Sequence, residues 1–413
     1  MRYLILDPLG PYAGRIMHFL GGLGHEAVAV FTSAVRQAAW ERKWVHRLGH
    51  LAGAHYLAAP GTDLRKLTRE IDRDWPDGFA GIIPWDEMTI LLGAEIGELL
   101  DLEWNPSRVI ERCRNKLVMK NWLRRSGKVR INASRKVSNA DEAFAFQEEV
   151  DAWPIVVKPT SGAGARDVYF ADNRGELLRY CQQVLENGAG DVLLEEFVGG
   201  QEFAVNGIAD REGTFLVTDV WLYDKRESHG IPNLYYQTIK LGRHPVFWDL
   251  ASYAADVVEA LELRRAPVHM EVKLDENGPC LIELGARFAG GDQPVLASKL
   301  HGRSLFELAA CHYLAELPFD PHDVDYDRYD ELEARIVSGI QPYEIQRVSA
   351  IHGLDEVREL PSFEGFGFLW PPGTRVPVTR DLDTKSYELY LMHPDPRQIE
   401  HDAQMVRRLF RYE

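Results

Sequence analysis

Short apolar runs and amphipathic stretches alternate over the first hundred residues. Residues 3–6, 27–31 and 81–83 are runs of the kind that form buried strands. A helical pattern follows the turn Asp7-Pro8-Leu9-Gly10-Pro11 and closes at Gly24; another follows Pro84-Trp85-Asp86-Glu87 and runs to Leu100. This alternation predicts βαβ units around a parallel sheet, a Rossmann-like layout over residues 1–105. Residues 107–126 form one long amphipathic stretch stopped by Gly127, which predicts a single helix. The pattern then changes to β-branched runs at 155–157, 192–194, 203–208, 214–222 and 268–274, with short helices between them. Residues 318–330 are acidic and broken by proline, and read as a linker. Beyond them short strands and turns alternate before a helix near 399–410. The chain thus divides into an α/β domain (1–105), a central lobe with a helical lead-in (106–205), and a last α+β lobe (206–413) with an extra β-rich segment.

Composition narrows the function. Sixty-three acidic against 47 basic residues give a net charge of −16, which argues against nucleic acid as a partner because phosphate backbones need a basic surface. A small anion in a local basic pocket remains compatible with that charge. The four cysteines, Cys113, Cys181, Cys280 and Cys311, contain no C-x-x-C pair, so neither a zinc motif nor a disulfide framework is expected. The opening apolar run is far below signal-peptide or membrane-span length, so a cytoplasmic protein without membrane partners is expected, with a homodimer as the default state.

Three segments bear chemistry. Lys158 ends the run 155–157, and Ser161-Gly162-Ala163-Gly164-Ala165-Arg166 follows; small residues let backbone N–H groups approach phosphate oxygens. The lysine precedes the glycines, so this is not a Walker loop. Next, 192–202 runs from a strand through Glu195, Glu196, Phe197 and Val198 into Gly199-Gly200 and Glu202; carboxylates there suit an adenine amino group or ribose hydroxyls. Third, 268–284 reads as a hairpin whose apolar strands contain Glu271 and Glu283. Two carboxylates on one face repel unless a cation lies between them, and Mg²⁺ takes carboxylate and phosphate oxygens together. Arg287, four residues past Glu283 and before Gly290-Gly291, suits charge stabilisation.

The order of these segments, with Asn115-Lys116 and then Met119 and Leu123 ahead of them, resembles the ATP-grasp superfamily over residues 1–310. The chain looks most like its carboxylate–amine ligases, especially the dipeptide-forming L-amino acid ligases. The resemblance rests on the Glu283-to-Arg287 spacing, Gly290-Gly291, and a C-terminal segment with His352-Gly353-Leu354 and Pro372-Gly373. It implies an ATP-grasp fold, α/β and α+β in several domains. Lys116 and Lys158 would meet ATP phosphates under a loop containing Ser161, Gly162 and Gly164. Glu195, Val198 and Glu202 would hold adenosine, and Glu271 and Glu283 one or two Mg²⁺ ions, or Mn²⁺. Gly285 departs from the asparagine many members carry there.

The expected reaction joins an amino acid or other carboxylate to an amine through an acyl phosphate, releasing ADP and phosphate. Lys158 and Arg287 would stabilise the transferring charge. His229, in the stretch 225–232 that reads as a loop, would take a proton or bind substrate, with Glu227, Arg287 and Gly290 nearby; Glu87 would hold a substrate ammonium. The loop 161–166 and a segment near 225–240 would exclude water. Rival readings are a carboxylase or formyl-phosphate ligase of the same fold, and a nucleotide-binding module without catalysis. The metal hypothesis requires Glu271 and Glu283 to pair across the hairpin. Strand alternation gives that pairing with a three-residue loop 276–278, not with a two-residue Asn277-Gly278 loop.

Overall fold

The structure, a computed structural model, describes residues 1–43, 51–160, 167–188, 190–318, 320 and 323–413. Its first sheet is parallel, in the order Leu51–Leu57, Glu26–Phe31, Arg2–Leu6, Gly81–Ile83. Arg2–Leu6, Glu26–Phe31 and Gly81–Ile83 are largely buried, which is why they read as unbroken apolar runs, whereas Leu51–Leu57 was not among those runs. Asp7, at φ 39, ends the first strand and turns its carboxylate inward. It accepts hydrogen bonds from the Thr32 backbone N–H (2.9 Å) and the Arg36 guanidinium (2.7 Å). The strand end is therefore occupied by the protein's own side chain.

The stretch predicted as one helix is two, Ser107–Arg114 and Lys116–Ser126. Asn115 breaks it at φ −96, ψ 109, and its side-chain oxygen accepts from the Leu117 and Val118 N–H groups. An asparagine satisfies the orphan donors of a new helix better than it continues an old one. Lys116 thereby becomes the first residue of the second helix. Gly127, at φ 65, ends that helix as expected.

A second, antiparallel sheet follows in the order Ser134–Val137, Val192–Glu196, Ile155–Pro159, Tyr169–Ala171. It has its own core, with Phe146, Ile155, Val157, Leu177 and Leu194. The third sheet has eight antiparallel strands: Gly278–Gly285, Ala266–Asp275, Gln201–Ala209, Phe215–Ser228, Ile231–Lys240, Glu333–Ser338, Tyr387–His393 and Phe363–Leu369. The helix Pro245–Leu261 packs Phe247, Leu250, Val257 and Leu261 into its core.

The β-rich C-terminal segment extends the sheet of the last lobe, because Glu333–Ser338 pairs with Ile231–Lys240. One expectation changes. The stretch 318–330, read as a linker, contains the start of a docked helix, Tyr326–Glu331. Tyr329 is fully buried, and its hydroxyl donates to the Leu241 carbonyl at 2.8 Å. Apolar anchoring by one tyrosine outweighs the acidic, proline-rich composition. Residues 319, 321 and 322 of that stretch lie outside the described residues.

The expected loop at 225–232 is also overturned. Phe215–Ser228 and Ile231–Lys240 form a long hairpin turning on two residues, His229 (φ 43) and Gly230 (φ 78). Positive φ at both positions matches the twist of flanking strands. Tyr223 packs edge-on against Tyr235, and Arg226 lies 3.7 Å above the Tyr236 ring. These cross-strand pairs outweigh the glycine, proline and charges that suggested a loop.

Candidate active site

The small sheet faces the eight-stranded sheet across a cavity of about 680 Å³. Lys116, Lys158, Glu195, Val198, Glu202, Glu271 and Glu283 all line it. Ser161, Gly162 and Gly164, in the proposed phosphate loop, lie outside the described residues.

The hairpin that carries Glu271 and Glu283 reaches its pairing by a different route from the expected one. Asp275 pairs with Gly278, so the loop is Glu276-Asn277. Arg130 fixes it, gripping both Asp275 oxygens (2.7 and 2.8 Å) and the Gly278 carbonyl (2.7 Å), while the Asn277 N–H donates to Asp275. A regular ladder from that loop would place Ile282 opposite Glu271. Instead Val272 pairs with Leu281 and Glu271 with Glu283, leaving Ile282 as the extra residue of a bulge. The bulge puts the two carboxylates side by side.

Charge around them is finely distributed. Lys116 Nζ lies 2.8 Å from Glu283 Oε2. Burial pushes the Glu283 carboxyl up, but the Lys116 ammonium and other cations hold it below the usual range. Glu271 is raised by burial and by the charges of Glu283 and Glu202, and Tyr235 lines the same cavity. Lys225 pairs with Glu202 and lies 4.3 Å from the Tyr235 ring centre. Lys158 and Lys273 line the same cavity, so cations and carboxylates are interspersed there. The side-by-side carboxylates of Glu271 and Glu283 fit a divalent cation that takes further oxygens from a nucleotide. Among the described residues no cluster of three or more His, Cys, Asp or Glu forms a closed metal cage.

Glu195 has partners that its place in the sequence did not suggest. It is almost fully buried, with Lys120 Nζ at 2.6 Å from one oxygen and Lys158 Nζ at 3.0 Å from the other. Burial pushes its carboxyl up, yet the two ammoniums hold it at about 2. It pairs with both lysines and lines the same cavity as Val198 and Glu202. Val198 and Phe197 remain on the cavity wall, with Phe170 edge-on to Phe197 and Lys273 Nζ 4.9 Å from the Phe197 ring centre. An apolar wall of this kind suits a base.

Arg287 and Glu87 come together beside this cavity. Arg287 Nε donates to Glu87 Oε2 at 3.0 Å, and Arg114 Nε lies 3.8 Å from the other oxygen. Glu87, Arg114, Lys116, Glu283 and Arg287 line a small crevice. A Cβ on Gly285 would lie 3.1 Å from Glu87 Oε2, so this pair fills the space a longer residue 285 would need. Glu87 is thus already matched by two guanidiniums, and a substrate ammonium would have to compete with them.

His229 and Glu227 are not brought to the cavity. Both are exposed at the hairpin tip, where the His229 ring nitrogen Nε2 sits 2.8 Å from the Thr379 carbonyl. Their loop, once folded as strands, extends past the cavity wall formed by Ile231–Tyr235. Gly290 is exposed, with open space where a Cβ would be. Sequence reasoning missed Lys120, Asn132, Lys225 and Tyr235. Lys120 had a signal: it follows Lys116 by four residues, on the same helix face.

Residues 152–294 match the model of the ATP-grasp domain. Those residues, from the small sheet to just past the Glu271–Glu283 hairpin, therefore form an ATP-grasp domain. It is 29% identical over 236 residues to dapdiamide A synthase of Enterobacter agglomerans, the match covering 54% of this chain and 55% of that protein. It is 24% identical over 267 residues to the L-arginine-specific L-amino acid ligase of Bacillus subtilis, covering 62% and 63% respectively. The chain thus spans little more than half the length of these curated relatives. In structure it resembles the L-amino acid ligase from Bacillus licheniformis, with TM-score 0.75 and 18% identity over 100% of this chain and 98% of the other. At that identity the likeness shows a shared fold.

Proposed function

We propose that the chain is an ATP-dependent ligase that joins the carboxylate of an amino acid, or a similar acid, to an amine through an acyl phosphate. One observation carries this reading: two lysines and a bulge-aligned carboxylate pair converge on a cavity beside a crevice lined by Arg114 and Arg287. The amide-forming relatives support the choice of amine over bicarbonate.

ATP lies with its base against Phe197 and Val198 and its phosphates toward Lys116 and Lys158. Glu271 and Glu283 would hold Mg²⁺, which would supply positive charge to the phosphoryl oxygens. Arg287 and Arg114 orient the acid. Its carboxylate oxygen attacks the γ-phosphorus, the bond to the β-phosphate oxygen breaks, and ADP is the leaving group. Lys158 and Arg287 balance charge on the transferring group. The amine nitrogen then attacks the acyl carbon, the carbon–oxygen bond breaks, and phosphate departs as the nitrogen loses its proton. Dry walls keep water from competing.

The test is a phosphate-release screen with ATP, Mg²⁺ and amino acids in pairs, with hydroxylamine added to trap the activated acid. ADP, phosphate and a hydroxamate are expected. Stoichiometric AMP and pyrophosphate would overturn the acyl-phosphate reading.

A further inference from the structure

Behind the cavity wall lies a buried cluster of two ammoniums on one carboxylate. Lys120 is fully buried and does not line the cavity. Its Nζ lies 2.6 Å from Glu195 Oε2 and 2.6 Å from Asn132 Oδ1. The Asn132 amide nitrogen donates to the Glu196 carbonyl at 2.7 Å and toward Glu195 at 3.3 Å. Those acceptors fix which way the amide points, so its oxygen is the atom left to receive Lys120. Lys158, which does line the cavity, holds the other Glu195 oxygen at 3.0 Å. With both lysines charged the cluster carries one net positive charge. Without the Lys120 charge, Glu195 would cancel Lys158 and leave none.

We propose that Lys120 is a positioning residue for the nucleotide: it binds Glu195 from the core side and so leaves the charge of Lys158 available to phosphate oxygens. The inference rests on reading the cavity as an ATP site. Lys120 never touches the nucleotide. Burial lowers its pKa to about 8, against the opposing pull of Glu195 and with the help of Lys158. The Cys280 thiol also faces it, and burial raises that thiol's pKa. Lys116, one turn back on the same helix, is engaged by Glu283. As pH rises through about 8, Lys120 loses its proton, the cluster falls from one positive charge to none, and phosphate binding weakens.

The experiment is calorimetric titration of the full chain with ATP and Mg²⁺ at about pH 7 and about pH 9. Wild type should lose more affinity than Lys120→Met between the two pH values; the part common to both belongs to Glu271, which burial, Glu283 and Glu202 push up to about 8. Lys120→Met should weaken binding at the lower pH by roughly tenfold, the size expected for losing one nearby charge in a partly shielded site. The double variant Lys120→Met/Glu195→Gln restores one positive charge and should recover most of the affinity. Loss of packing alone would not be repaired by Glu195→Gln. Wild-type affinity in Lys120→Met, or a double variant no tighter than the single one, overturns the inference while leaving the ATP site intact. If Lys120→Met does not fold, Lys120→Arg decides: a cation that keeps its proton should hold affinity at the higher pH better than wild type does, and a profile unchanged from wild type overturns the inference. Failure of the wild type to bind ATP at all overturns the site and the inference together.

Discussion

Glu195 shows how much of one side chain's surroundings its place in a motif leaves out. A carboxylate at the end of an apolar run reads as a nucleotide ligand, but only the fold reveals lysines at both of its oxygens. Removing its charge would leave Lys120 and Lys158 buried together, so Glu195→Gln should cost about 3 kcal/mol at neutral pH. Its carboxyl is held at about 2, below the unfolded value near 4.5. That contribution is therefore full above about pH 4.5 and is lost as pH falls toward 2. Urea unfolding should show wild type and Glu195→Gln converging over that window; a constant difference would contradict the ion cluster. Lys158 was singled out because it ends an apolar run just before small residues, and Lys116 only through the family resemblance. Replacing either with methionine should weaken ATP binding at least tenfold while the circular dichroism spectrum stays that of wild type. Glu271 and Glu283 were legible as charges inside apolar runs. Glu283→Gln should raise the Mg²⁺ concentration needed for half-maximal turnover several-fold, checked by metal titration.

At the scale of elements, strand existence and the Glu271–Glu283 pairing were readable, and the loop and bulge that produce that pairing were not. Apolar alternation marked both arms of the Glu271–Glu283 hairpin, yet the loop is Glu276-Asn277, set by Arg130 on Asp275, and a bulge at Ile282 repairs the register. Nothing in the local sequence encodes a contact from residue 130. The helix break at Asn115 was readable in principle, since asparagine is a strong cap. Asn115→Ala should cost about 1 kcal/mol, and it should also weaken ATP binding, because Lys116 is the next residue. Unchanged nucleotide affinity alongside reduced thermal stability would separate the cap from the site. Gly200 has a sharper role. It sits at φ 77, and a Cβ there would lie 2.0 Å from the Leu274 carbonyl, so the turn after Val198 presses on the strand bearing Glu271. Gly200→Ala should lower the melting temperature by several degrees; no change would mean that the turn can relax.

For the whole molecule, the alternation of strand and helix gave the parallel sheet of the first hundred residues, and the later β-branched runs gave the strands around the cavity. Long-range strand order was hidden, because pairing Ile231–Lys240 with Glu333–Ser338 closes a loop of about ninety residues that no local pattern records. The result is a continuous sheet in which the hairpin beside the cavity is flanked on both sides, by Gln201–Ala209 and by Glu333–Ser338. The small sheet, in contrast, has a core of its own. Heated without ligand, such a molecule has two cooperative units to lose, one before the other. A nucleotide gripped by both, through Lys158 on one side and the Glu271–Glu283 hairpin on the other, makes the loss of either release the ligand. Scanning calorimetry should then resolve two heat-absorption peaks that draw together as ATP and Mg²⁺ are added. The melting curve itself would report that the two halves share one molecule between them.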